Sequence, residues 1–155
     1  MKMHLAELNI GRLKAPVDHP LVKDFIDNLD RINGLAERMP GFVWRLTGAG
    51  NNATDLHLGD DPTMAVNMSV WKTAAQLETY VFGTLHAKFY QRRHEWFDFM
   101  DRPYFVLWHV PEGHRPALAE AAERLHHLQA HGPSDHAFGW AEAIGKERLR
   151  QRRCA

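Results

Sequence analysis

The octapeptide MAVNMSVW, Met64 to Trp71, is apolar at every second position, and this period of two constrains the chain more than any other feature. It predicts a strand with Met64, Val66, Met68 and Val70 on one side and Ala65, Asn67, Ser69 and Trp71 on the other. Three more segments read as strands. Met3 to Ile10 places Ala6, Leu8 and Ile10 on one face, GFVWRL from Gly41 is rich in aromatic and β-branched residues, and YFVLWHV spans Tyr104 to Val110. Thr47 to Asp55, full of turn formers, is expected to make a hairpin connection, with Leu56 to Leu58 extending the outgoing strand and Asp60-Asp61-Pro62 turning the chain.

Helical spacing fills the gaps between strands. Leu21, Phe25, Ile26, Leu29, Ile32 and Leu35 define one helix, stopped by Pro40-Gly41. Thr73 and Gln76 have capping-box spacing at the start of another, which Gly83 weakens. A further helical stretch is expected from about Thr84 to Met100. Pro116 opens a helix to about Ala130, HAFGW is expected to form a short last strand, and the basic tail from Lys146 is expected to fray. The reading is one α+β domain over residues 1–145 with a tail over 146–155. Strand, helix, strand, strand, helix, strand and an extra C-terminal helix is the ferredoxin-like split βαβ order, with an antiparallel sheet and helices on one face. Val43, Trp71, Phe105 and Leu107 make the alternate strand positions apolar as well. A second layer is therefore expected, supplied by another copy of the chain in a homodimer with sheets face to face.

Composition narrows the function classes. Nineteen Lys and Arg balance nineteen Asp and Glu, so no global field draws nucleic acid or anionic lipid. No apolar run reaches about 18 residues, so no membrane span is expected. The start, MKMHLAELNIGRL, lacks a secretory signal pattern, and the single cysteine, Cys154, allows no intrachain disulfide; a cytoplasmic location is expected. No P-loop, G-x-G-x-x-G or G-x-S-x-G occurs.

The stretch VFGTLHAKFYQRRHEWF, Val81 to Phe97, carries the strongest candidate chemistry. Leu85, Phe89 and Trp96 continue Leu77 and Val81 as a core stripe. Phe82, His86, Tyr90, Arg93 and Phe97 form a second line at spacings of three and four. That line suits a cavity edge, where apolar walls carry a few directed polar groups. His86 would then be a general base or a ligand to a metal or haem. The competing reading makes His86 and Tyr90 half-buried helix residues satisfied by neighbours, with Arg92 and Arg93 paired to Glu95 or Asp98. The strands add Asn9, Arg45, Asn67, Ser69 and His109, able to orient a ligand oxygen or hold an anion. His127 and His131, four apart, and nearby His126, His136 and Glu123 have spacing that can bind a metal, but no full zinc motif is present and a polar helix face is the preferred reading.

The passage SVWKTAAQLETYVFGTLHAKF resembles the third strand and second helix of dimeric α/β-barrel proteins, the antibiotic-biosynthesis-monooxygenase-like superfamily. Together with HLAELNIGRLKAPVDHP, GFVWRL, HAKFYQRRHEWF and YFVLWHVPEGHRP, it resembles more closely an uncharacterised bacterial family of that superfamily, over most of residues 3 to 118. The resemblance implies a homodimeric barrel of two sheets and a pocket between each sheet and its helices. It also implies cofactor-independent oxygenases of polycyclic phenols, haem-degrading oxygenases, or isomerases and lyases of cyclic compounds. At the positions of the haem-degrading branch this chain has Asn9, Tyr80 and His86, with tyrosine where that branch carries tryptophan.

Three functions are carried forward. One is a monooxygenase-like enzyme without cofactor, acting on an aromatic or cyclic small molecule. His86 would be its base, with Asn67 and Arg45 as catalytic partners, and Asn9, Ser69, Trp71, Tyr80, Phe82, Tyr90, Arg93, Phe97 and Trp108 as the substrate pocket. The second is a haem protein with His86 as axial ligand. The third is a ligand-binding dimer with no reaction.

Overall fold

The computed structural model describes residues 1–154. Four strands, β1 (Met3–Arg12), β2 (Phe42–Arg45), β3 (Met64–Trp71) and β4 (Phe105–Pro111), form one antiparallel sheet in the order β2-β3-β1-β4. This order is consistent with the ferredoxin-like arrangement. The two long strands lie at its centre, with Glu7 opposite Ser69 and Asn9 opposite Asn67. β4 runs along the other side of β1, pairing Leu107 with Glu7. β2 is short and irregular between Phe42 and Trp44, which brings Arg45 opposite Ser69.

Seven helices are found among the described residues: α1 (Lys23–Glu37), α2 (Ala74–Gly83), α3 (Leu85–Gln91), α4 (Arg93–Trp96), α5 (Leu118–His131), α6 (Trp140–Ile144) and α7 (Lys146–Cys154). The cap at Thr73 forms as expected, its hydroxyl accepting from the Gln76 amide at 3.2 Å. The chain also breaks at Gly83. Thr84 then caps α3, accepting from the His86 amide at 3.2 Å and donating to the Tyr80 carbonyl at 2.7 Å.

Strand alternation sorts the sheet into two covered faces. Ala6, Leu8, Met68, Val70, Val106 and Trp108 pack under Ala121, Leu125 and Leu128 of α5. Leu5, Trp71 and Leu107 pack under Ala36 of α1, Leu77 and Tyr80 of α2, Trp140 of α6 and Leu149 of α7. With α5 and the loop residues Leu46, Ala53, Leu56 and Leu58 on the opposite face, Trp71, Phe105 and Leu107, the positions for which a second copy was expected, are covered by the chain's own layer of α1, α2, α6 and α7. A second sheet could reach these strands only by displacing that layer.

Four expectations fail for local reasons. Leu56 to Leu58 do not extend a strand. Asn52 and Asp61 side chains accept from the Thr54 and Thr63 amides at 3.0 and 2.9 Å, fixing turns while the leucines pack on the sheet. The stretch from Thr84 to Met100 is not one helix: it breaks at Arg92 and stops at Trp96. There the backbone turns to the end of β1, with Lys14 N–H donating to the Trp96 carbonyl and Asp98 N–H to that of Arg12, both at 2.9 Å. HAFGW forms only a bridge, in which Phe138 exchanges hydrogen bonds with Leu107. The basic tail does not fray but forms α7, held by buried Leu149 and by Arg148 and Arg152 on Glu78, a carboxylate only 1% exposed.

Candidate functional site

Alternation along β1 and β3 places Glu7, Asn9, Asn67, Ser69 and Trp71 on the face covered by α1, α2, α6 and α7. Arg45 joins them across from Ser69. Polar groups at the centre of a sheet need partners, and here they form a chain. Trp71 Nε1–H donates to Ser69 Oγ at 2.9 Å, and Ser69 Oγ–H donates to Glu7 Oε1 at 2.7 Å. The other carboxyl oxygen, Oε2, is enclosed and meets no hydrogen-bond partner. Glu7 is 3% exposed. Burial pushes its pKa up to about 8, outweighing the Ser69 hydrogen bonds that pull it down, so the carboxyl is mostly protonated at neutral pH.

Tyr80 spans the space above this row. Its ring stacks on Trp71 with centroids 5.3 Å apart, and its hydroxyl donates to the Ile32 carbonyl at 3.2 Å. Burial, and the neighbouring Glu7, hold the phenol well above its ordinary pKa. His86 packs against Tyr80 with ring centroids 4.8 Å apart. Its Nδ1 lies 3.1 Å from the Val81 carbonyl, which can only accept, so Nδ1 carries the proton and Nε2 keeps its lone pair. Burial pulls the imidazole below its ordinary pKa, against a smaller upward effect of the Val81 hydrogen bond. At neutral pH this is a neutral base, half-buried on the first turn of α3.

Arg45 is drawn toward the rim. Its Nη2 donates to Glu37 Oε1 at 3.3 Å and Asn51 Oδ1 at 3.0 Å, while its Nε–H is enclosed without an acceptor. The side chain is only 8% exposed, so a buried cation keeps one free donor. Exposure rises along the same face: Asn9 is half-buried and Asn67 exposed. Solvent therefore reaches within one pleat of the Glu7 row.

The other expected site residues divide. Phe82 and Tyr90 form an aromatic wall with Trp140 and Phe105, the last not among the expected site residues: Phe105 stacks on Trp140 at 5.2 Å, and Phe82 meets Trp140 edge-on at 5.3 Å and Tyr90 at 6.0 Å. Arg93 lies over the Tyr90 ring at 4.1 Å and donates to its carbonyl, where a pair with Glu95 or Asp98 was expected. Arg92 pairs with Glu95 and Asp24. Phe97 does not join the stripe: after the break at Arg92 it packs edge-on to Phe25 at 5.0 Å, in a separate cluster with Leu13 and Trp96. Trp108 lies on the opposite sheet face under α5, its Nε1–H donating to Glu120 at 3.3 Å. His109 lies at an exposed position with its ring 5.2 Å from that of Phe138.

Two residues of this face were missed from sequence. Glu7 had a readable signal, being a carboxylate on the same face as Asn9 in a central strand. Trp140 had none, because its place depends on how α6 folds back.

Two open hollows lie away from this face, of about 560 Å³ against Glu123, His126, His127 and His131, and about 230 Å³ beside α7. The rings of His131 and His136 lie 4.8 and 4.7 Å from that of His127, and Glu123 takes His136 Nε2 at 2.8 Å. Among the described residues no three such side chains converge to hold a metal ion. No helix there is long and apolar enough to cross a membrane.

The molecule is thus an α+β protein whose antiparallel sheet carries a polar row beneath helices. Over residues 4–154 the chain matches the family described as Domain of unknown function (DUF3291), and it belongs to that family. No curated protein and no solved structure matches it.

Proposed function

We propose that the protein is a monooxygenase-like enzyme that removes a proton from an aromatic or cyclic small molecule, with His86 as the base. The observation that carries this reading is the half-buried imidazole, anchored through Nδ1 on the Val81 carbonyl and held against Tyr80, which leaves Nε2 unprotonated and without a protein partner among the described residues. A substrate would enter past Asn67 and Asn9, lie against the wall of Phe82, Tyr90, Phe105 and Trp140, and place its acidic O–H or C–H at Nε2. Arg45 Nε–H would orient a ligand oxygen. An enolate or phenolate formed in this way can itself reduce dioxygen. In the net reaction a CH₂ beside a carbonyl becomes C=O, and the second oxygen atom leaves as water.

The resemblance to the antibiotic-biosynthesis-monooxygenase-like superfamily supports the substrate class and is the remaining ground for a homodimer, while a cytoplasmic setting rests on the single cysteine, which allows no intrachain disulfide. Such a dimer would have to assemble over one of the helical layers that cover the sheet, or by moving it. The test is oxygen uptake with a panel of polycyclic phenols and enolisable ketones, comparing wild type with His86→Ala. Uptake lost in a variant with wild-type circular dichroism supports the base; unchanged uptake removes it.

Haem ligation is the second reading, favoured by the same Nδ1 anchor, which is how axial histidines are commonly held. His86 would hold the iron and Tyr80 would flank it; the group would supply oxygen activation. A Soret band on adding haem, absent in His86→Ala, tests it.

A further inference from the structure

His86 alone leaves the developing negative charge without a strong donor, and the sheet beneath it supplies one. Resting on the reading of His86 as base, we propose that Glu7 is the second catalytic group. Its free Oε2 would donate a hydrogen bond to the ligand oxygen that becomes negative, so the ligand class is a phenol or enolisable carbonyl.

Three observations converge on this. The first is the direction of the relay. Trp71 Nε1–H donates to Ser69 Oγ and Ser69 Oγ–H donates to Glu7 Oε1, so Oε1 serves as an acceptor and a protonated Glu7 carries its acid proton on Oε2. The second is that Oε2 has no acceptor although it is enclosed. A buried donor left unpaired is costly, and such groups mark sites completed by a ligand or water. The third is position. Glu7 shares its face with Trp71, on which Tyr80 stacks, and Tyr80 packs against His86. Asn9, one pleat along, opens toward solvent.

The proton balance closes within the site. His86 Nε2 takes the ligand proton, the electron pair of the broken O–H or C–H bond stays on the ligand as phenolate or enolate, and Glu7 shares its own proton with the oxygen that bears the charge without giving it up. Burial holds the imidazole neutral and the carboxyl protonated over the same pH range, the separation an acid–base pair requires. Ser69 and Trp71 are positioning residues: they touch Glu7, not the ligand.

The probe is 4-nitrophenol, whose colour reports ionisation, combined with infrared difference spectra of the carboxyl. At about pH 7 wild type should show a protonated-carboxyl band that Glu7→Gln removes, and should bind the probe as phenolate. Glu7→Ala should weaken binding by about tenfold or more, and Glu7→Gln, which keeps a donor, by about threefold or less. Ser69→Ala should move the carboxyl midpoint upward, since it removes the bond that favours the ionised form. The infrared and Glu7→Gln arms stand even if Glu7→Ala fails to fold. The proposal is overturned by an ionised carboxyl at that pH, by no binding of the probe to wild type, or by Glu7 variants that bind as wild type does. If the Glu7 variants bind normally while His86→Ala binds un-ionised probe, the base survives and this inference falls. If Glu7 matters while His86→Ala still ionises the probe, the base falls and the donor stands.

Discussion

Replacing Glu7 with glutamine changes how stability depends on pH, and the size of that change follows from the structure. The carboxyl is 3% exposed, and burial moves its pKa from the ordinary 4.5 to about 8. Between those values the folded chain keeps a proton that the unfolded chain has released. Unfolding free energy therefore falls as pH rises from about 4.5, and the loss levels off above about 8. Each unit is worth about 1.4 kcal/mol, so a shift of about 3.5 units sets a ceiling of roughly 5 kcal/mol. A domain of this size is stable by only about 5–15 kcal/mol, so the effect is large. Glutamine cannot titrate. Its Oε1 would still accept from Ser69, while its amide would leave N–H groups unpaired at a pH-independent cost of about 1–3 kcal/mol. Urea unfolding of both proteins at steps from about pH 5 to about pH 9 separates the two effects. The difference in stability should shift toward Glu7→Gln by several kcal/mol across that range, whatever its starting offset. Parallel curves, within about 0.5 kcal/mol, would refute the claim that a buried, protonated carboxyl sits in the sheet.

Removing both arginines from Glu78, as Arg148→Ala with Arg152→Ala, strands a carboxylate that is 1% exposed and should cost about 3 kcal/mol in urea unfolding at neutral pH. Burial alone would raise the Glu78 pKa, but the two arginines outweigh it and hold it low. Its stabilising contribution is therefore present above the ordinary carboxylate range and lost as pH falls through the folded value, so the wild-type advantage over the double variant should shrink in acid. Leu125→Ala in α5 should cost about 2–5 kcal/mol because that side chain is buried against the sheet; a loss below about 0.5 kcal/mol would mean that α5 does not cover this face in solution. Gly11→Ala should destabilise by about 1–3 kcal/mol, because an added Cβ would stand 2.6 Å from the Phe97 ring, and Phe97→Leu in the same chain should recover part of that loss in thermal unfolding.

Much of the sheet was legible in the sequence because alternation is a local signal. Met64 to Trp71 and Met3 to Ile10 announce both their strand character and their faces, and the Thr73 cap and the break at Gly83 follow from backbone chemistry. What escaped was set by distant contacts. Lys146 to Cys154 reads as a charged tail until Glu78, some seventy residues away, supplies a buried partner for Arg148 and Arg152. The stripe from Phe82 to Phe97 reads as one helix until the end of β1 takes the hydrogen bonds of Trp96 and Asp98. Trp108 and Trp71 look alike as strand tryptophans, yet they sit on opposite faces, and only Trp71 reaches Tyr80. Glu7 was passed over because a lone carboxylate in a strand usually faces water. What its shared face with Asn9 does not show is its partner, Ser69, which β3 brings opposite.

Nitrogen-15 NMR of the imidazoles, with His86 assigned by its loss in His86→Gln, addresses the half-buried base without a substrate. A neutral ring protonated on Nδ1, and staying neutral to a lower pH than the surface histidines, is the result expected from the Val81 anchor and the burial. A ring protonated on Nε2, or one that titrates together with those surface histidines, would contradict it.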